Sequence, residues 1–230
     1  MRPQWTNRSI DSYGVRMPHV PQTQRGRRSR ERIVGAAAAV IAERGVEGAS
    51  LDQILAVASA SKSQLYHYFS GKDELVRAVI ACRFDETLES QMPWLTDLDS
   101  FAAIRRWFDM LLERNEAHGF PGCGIGTLAN ELADRDEAAR AELATCFARW
   151  ERYLVDGLER MRSRGDLVQS ADPQRLATAV FAGLQGGLLV SKTFKAAEPL
   201  RAALDAAFAY LRSFRVPPAR RARKAGRSRS

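Results

Sequence analysis

The chain has 230 residues, 45% of them hydrophobic, and a formal net charge of +8; that length suits one large domain or two small ones. No apolar run approaches the ~18 residues of a membrane span, so a membrane protein is not expected. Cys82, Cys123 and Cys146 are odd in number and far apart, with no CxxC or CxxH spacing, which argues against a disulfide framework or structural zinc and suits a reducing cytoplasm.

Charge is unevenly placed. Residues 1–32 carry a net +6, residues 215–230 a net +7, and the stretch between them a net −5. A mildly acidic body is therefore expected between two basic ends, which are of the kind that contacts polyanions. Residues 1–24 mix Pro, Gln, Ser and Thr with few apolar residues and read as a disordered extension. They lack the apolar core of a secretory signal, and Met17 is an alternative start. Arg25, Arg27, Arg28 and Arg30 form a dense basic arm. It runs into Ile33, Ala37, Val40 and Ile41, one face of a first helix that Gly45 and Gly48 end.

Residues 50–79 organise the rest. Ser50 with Gln53, and Ser61 with Gln64, are capping boxes that open two short helices; Ser70 with Asp73 is a looser version for a third. Leu51, Ile54, Leu55 and Ala58 line one face of the first of these, and Leu65 and Phe69 bring the second onto the same core. Lys62, Ser63, Gln64, Tyr66 and His67 are left at the exposed side. Gln can pair with adenine, Lys with guanine or phosphate, and Ser with either, so the pattern reads as a helix-turn-helix with a major-groove recognition helix. Lys72 is placed for a phosphate.

SKSQLYHYFSGKDEL, residues 61–75, resembles the DNA-binding signature of the TetR/AcrR family of transcriptional regulators. Ser61, Lys62, Leu65, Tyr66, Phe69, Lys72 and Leu75 match, while Tyr68 stands where His is common and His67 lies one place earlier. The resemblance implies that Lys62, Ser63, Gln64, Tyr66 and His67 lie on the recognition helix, that Lys72 touches phosphate, and that the arm lies beside the DNA backbone. Ser50 and Ser61, at the helix starts, complete the candidate DNA-binding set. Residues 33–80 carry four basic residues against five acids, so the arm has to supply much of the counterion-release affinity.

Beyond the motif, Leu75, Val76, Val79, Ile80, Phe84 and Leu88 continue a long amphipathic helix to about Gln91, and Pro93 ends it. The DNA-binding domain is expected over 25–80, a helical effector-binding and dimerisation domain over 81–214, and a basic disordered tail over 215–230. The fold class is all-α. Phe101, Ile104, Phe108 and Leu111 mark a helix, Gly119 to Gly126 a loop, and Leu128 and Leu132 another short helix. A helix of about seven turns follows, from Leu143 past Met161 to near Gly165. Asp172 and Pro173 open one that runs to about Lys192, and Pro199 opens the last.

Gly183, Gly186 and Gly187 in the penultimate helix, with five alanines in the last, read as room for close approach of another helix. In the family resemblance these two helices form a four-helix homodimer interface, which would place two recognition helices on a palindromic operator. GCGIGTLANEL, residues 122–132, is similar to a stretch found in the LmrA/YxaF-like subgroup, with Gly124 in place of a usual proline.

No catalytic constellation stands out, no metal cluster is spaced for binding, and no cofactor is expected. The family resemblance implies a small-molecule effector inside the C-terminal bundle. The candidates are Trp107, Phe108, Leu111, Phe120, Cys123, Phe147, Trp150, Phe181 and Gln185, a mainly apolar set with no charged anchor, suiting an apolar or aromatic compound. The resulting reading is a cytoplasmic, homodimeric, ligand-released regulator that acts as a repressor. Its rivals are a non-specific DNA-binding protein driven by the basic ends, and a helical carrier or enzyme without operator binding.

Overall fold

The computed structural model describes residues 23–217; the expectations for residues 1–22 and 218–230 lie outside that range. Nine α-helices occur among the described residues, with no strand beyond one isolated bridge.

The first helix, α1 (Gln24–Gly48), starts earlier than the apolar face indicates. Thr23 caps it, its hydroxyl accepting from the Gly26 N–H at 3.1 Å. The basic arm is thus two turns of helix, and residues 23 and 24 are ordered into it rather than part of a disordered extension. Gly45 kinks α1 with φ 72°, a left-handed conformation that favours glycine. Ile33, Ala37, Val40 and Ile41 are buried where α1 packs on α2 (Leu51–Ala58) and α4 (Lys72–Glu89).

Helix α3 (Lys62–Tyr68) follows α2 after a three-residue turn in which Ser59 is left-handed, with φ 47°. Both capping boxes form: Ser50 and Ser61 accept from the Gln53 and Gln64 N–H groups, and each glutamine Oε1 accepts from its serine's N–H. Ser70 does not cap α4. It lies two residues before the first helical residue, Gly71 takes the cap position without a side-chain bond, and the Ser70 N–H donates to Glu74 Oε2 at 2.6 Å.

From α4 the chain turns through a short 3-10 segment, Trp94–Asp97, into α5 (Phe101–Ala117). There follow α6 (Gly124–Leu132), α7 (Glu137–Ser163), α8 (Pro173–Phe194) and α9 (Glu198–Ser213). Helix α6 starts inside the stretch expected to be loop. Gly119 and Gly122, at φ 68° and 76°, make the turn, and the Cys123 sulfur then accepts from the Gly126 N–H at 3.3 Å to cap the helix. Helices α4 and α7 pack together and carry α6 between them and α1. Gly157 on α7 faces the Leu98 carbonyl so closely that a Cβ there would overlap it.

Helices α8 and α9 form the most extensive pairing. At Gly187 an added Cβ would meet Ala203 Cβ and Leu200 at 3.0 Å, so this glycine serves packing within the chain. Nothing lies within 4 Å of the same position at Gly186. The Phe214 carbonyl accepts from the Val168 N–H, and the Val216 N–H donates to the Asp166 carbonyl, both at 2.9 Å. Residues 215 and 216 are therefore tied to the body and are not part of a disordered tail.

Candidate functional site

The surface that α3 presents follows from its caps and its buried stripe. Leu65, Tyr68 and Phe69 face the core, leaving Lys62, Ser63, Gln64, Tyr66 and His67 exposed; Tyr66 is 48% exposed. The ambiguity between neighbouring residues resolves sterically: Tyr68 is the buried ring, and His67 the exposed one packed edge-on against it at 4.8 Å. Gln64 has two jobs. Its Oε1 is held by the Ser61 N–H, so only the amide NH2 is directed outward while the cap is closed.

The cations around α3 are engaged. Lys62 pairs with Asp52 of α2 at 3.0 Å, and that hydrogen bond, then the charge of Asp52, raises the lysine pKa. Lys72 Nζ reaches the Glu47 carbonyl at 3.5 Å, at the end of α1. Arg30 lies over the Phe69 ring at 5.1 Å, a cation–π contact that fixes the start of α1 beside the end of α3. Arg25, Arg27 and Arg28 extend from the same turns as exposed residues. Ser50 and Ser61 are exposed caps. The structure therefore gathers every candidate DNA-binding residue onto the α1 start, the α2–α3 unit and the head of α4.

A cavity of about 730 Å³ lies between these elements and the remaining helices. Its wall includes Ala38, Ile41 and Gly45 of α1, Val79, Arg83 and Glu86 of α4, and residues of α5 to α8. Among the expected ligand residues, Leu111, Cys123 and Trp150 line it. Trp107 is buried behind the wall and donates from Nε1 to Gln91 Oε1 at 3.0 Å, Gln91 itself being on the wall. Phe108 is buried against Trp107 and Phe208. Phe147 and Trp150 both meet Phe181 edge-on, at 5.6 and 5.3 Å, so two of these three rings pack as core. Phe120 occupies the turn before α6 with φ 61°. Gln185 lies over Gly126 of α6, its amide nitrogen buried without a partner.

The wall is not the uncharged surface expected. Arg83, Arg114, Lys192, Glu86 and Glu131 all line it, with Asn115 and His118. Asn115 was the one legible in principle: it continues the 104, 108, 111 stripe of α5 one step further, as a polar residue on a buried face. Burial pushes the Cys123 thiol up, the cap bond from Gly126 only partly opposing it. No group of three or more metal-ligating side chains occurs among the described residues, and none of their helices is long and apolar enough to cross a membrane.

An exposed, capped α3 beside a cationic helix start defines a helix-turn-helix DNA-binding protein, and comparison with known proteins places it. Residues 33–79 match the family described as bacterial regulatory proteins, tetR family, and residues 100–206 match the LmrA/YxaF-like transcriptional regulator C-terminal domain. The chain belongs to the TetR family of transcriptional regulators, proteins that regulate rather than catalyse. It is 28% identical over 200 residues to the transcriptional regulator AcuR of Cereibacter sphaeroides, covering 80% of this chain and 89% of that one. It is 28% identical over 186 residues to the transcriptional repressor DhaR of a Mycobacterium species, covering 78% and 90%. Among solved structures, regulatory protein TetR from Rhodobacter sphaeroides aligns with a TM-score of 0.66 at 26% identity, over 78% of this chain and 97% of that one.

Proposed function

We propose that this regulator is a cytoplasmic homodimeric repressor, released from a palindromic operator when a small molecule enters the cavity. Its DNA-binding domain would span residues 25–80 and its effector and dimerisation domain residues 81–214. The exposed residues of α3 would read bases, while Arg25, Arg27, Arg28, Arg30 and Lys72 would meet phosphates.

One observation carries the reading: the cavity wall is shared. Residues of α1 and α4, which hold the helix-turn-helix, face the same space as residues of α5 to α8. A ligand that prefers one spacing of these helices shifts the protein toward it, by no more than its preference for that state. The dimer reading is supported by the outer face of α8 and α9. Leu189, Val190, Phe194 and Tyr210 are exposed there, Phe194 by 70%, beside the open Gly186.

The test is a titration of the protein's own upstream region at near-physiological salt, beside scrambled DNA of equal length. Specific binding with two protomers per site is expected. Equal affinity for both DNAs would favour a non-specific binder. An operator complex unmoved by every tightly bound small molecule would reject release.

A further inference from the structure

The polar groups of the cavity are not mutually satisfied, and the deficit has a sign. Glu131 is occupied by the Val46 N–H at 2.6 Å. Glu86 is occupied by Arg83 at 2.9 Å and by the Cys82 thiol. The acids of the wall are thus spoken for. Its other two strong cations have no carboxylate partner among the described residues: Arg114 donates only to the Ser90 carbonyl, at 3.2 Å, and Lys192 has no ion pair. Lys192 lies across the start of α6, its Cδ 2.9 Å from where a Cβ of Gly122 would stand.

Two buried donors add to this. Asn115 is 4% exposed, yet neither atom of its amide has a partner; Trp150 is 3% exposed, and its indole N–H has none. Both line the cavity. Leaving such groups unpaired is costly, and natural proteins retain them where something else completes the bonds. The N-terminus of α6, with its cap Cys123 and first residues Gly124 and Ile125, adds the positive end of a helix to the same wall. The apolar part of the wall is Ile41, Val79, Leu111, Ile125, Leu128 and Leu188, with the neutral polar Thr87, Ser90, Gln91 and Thr127 between.

We propose that the cavity binds an organic carboxylate that also carries a hydrogen-bond donor such as a hydroxyl. Lys192, Arg114 and the donors of Asn115 and Trp150 take the carboxylate, and Asn115 Oδ1 takes the donor. The hydrocarbon of the ligand lies on the apolar wall. This rests on the effector reading above and names the chemistry of that site. A neutral apolar ligand would leave both cations without an anion and the two buried donors unpaired, which disfavours it relative to a carboxylate.

Isothermal titration calorimetry of the full chain with matched probes tests this: 4-hydroxyphenylacetate and 3-hydroxyoctanoate, each against its uncharged primary amide. At least one acid is expected to bind at least about tenfold more tightly than its amide, the worth of one charge-assisted hydrogen bond. Lys192→Met and Arg114→Met should each erase most of that preference. Asn115→Leu should weaken acid binding while raising the melting temperature of the free protein by about 2–4 °C, because an unpaired buried amide is removed. An unchanged or lowered melting temperature with intact acid binding would overturn the role of Asn115. Amides binding as tightly as acids, or neither acid binding, would overturn the anion assignment. Operator release by a neutral compound would then leave the effector reading standing without it.

Discussion

Glu131 Oε2 accepts a hydrogen bond from the backbone N–H of Val46 at 2.6 Å, joining α6 to the kink of α1 across 85 positions of sequence. Arg135, in the turn that follows α6, pairs with Glu47 at the same corner. Gly45, left-handed at the kink, leaves room for the carboxylate: a Cβ there would sit 3.1 Å from Glu131 Oε2. Glu131 also faces the cavity. One side chain therefore touches both the space a ligand would fill and the residue that leads α1 into α2.

Removing this clasp should weaken the fold and disturb operator affinity from a distance. Glu131→Ala leaves the Val46 N–H without its partner and should cost about 1–3 kcal/mol, read as a lower denaturant midpoint. Glu131→Gln retains an acceptor oxygen and should lose less. Identical midpoints for wild type and Glu131→Ala would show that water replaces the carboxylate at no cost.

On the recognition helix, Tyr66→Ala and Gln64→Ala should separate. Tyr66 is exposed, so its loss should weaken operator binding at unchanged stability. Gln64→Ala removes half of a capping box as well, so a stability loss of up to about 1 kcal/mol should accompany weaker binding. Gln64→Glu retains the cap acceptor but removes the outward donor and adds negative charge, so it should abolish binding while remaining folded. Loss of discrimination at one base position after Gln64→Ala supports direct readout; a uniform loss across sequences points to positioning alone.

The salt dependence of binding should report on individual cations. Arg25→Gln and Arg28→Gln leave the Arg30–Phe69 contact in place, and each should flatten the slope of log K against log salt by about 0.9 for every phosphate that is no longer neutralised. Asp52→Asn should act in the opposite direction, freeing Lys62 from its 3.0 Å pair and steepening the slope. An unchanged slope in the arginine variants would show that this part of α1 does not touch the backbone.

Alkaline pH should destabilise the protein partly through Cys146. Burial, then the charge of Glu142, pushes its thiol up to about 11 from an ordinary 9.0. The folded chain therefore retains a proton that the unfolded chain releases, and stability is lost as pH rises from 9 through 11. Urea midpoints should fall more steeply over that window for wild type than for Cys146→Ala. Parallel falls would assign the titration to other groups.

The helix-turn-helix was legible because its signals are local. Caps, turn and buried stripe all lie within residues 50–69, and the serines and glutamines bond as their spacing implies. The start of α1 was not legible, because Thr23 caps a run of arginines with no apolar periodicity to announce a helix. The start of α6 was hidden by glycines that read as loop and by a cysteine, an uncommon cap. The cavity wall was the least legible part. Arg83, Arg114 and Lys192 sit where a helical wheel gives them to solvent and remain at least partly exposed; only the arrangement of α4, α5 and α8 brings them to one cavity. Aromatic periodicity pointed instead to Phe108, Phe147 and Phe181, which are used for packing.

The cavity between α1, α4 and the later helices bears on how long each molecule survives. Any compound that fills it in the native state alone stabilises that state by mass action, about 2.7 kcal/mol at one hundred times its dissociation constant. The unfolded fraction then drops about a hundredfold, and with it exposure to proteases that act on open chains. Cellular abundance would consequently rise with the same signal that, under the proposed function, releases the operator. The pool of free regulator would be largest when the signal disappears, which favours a fast return to the bound state.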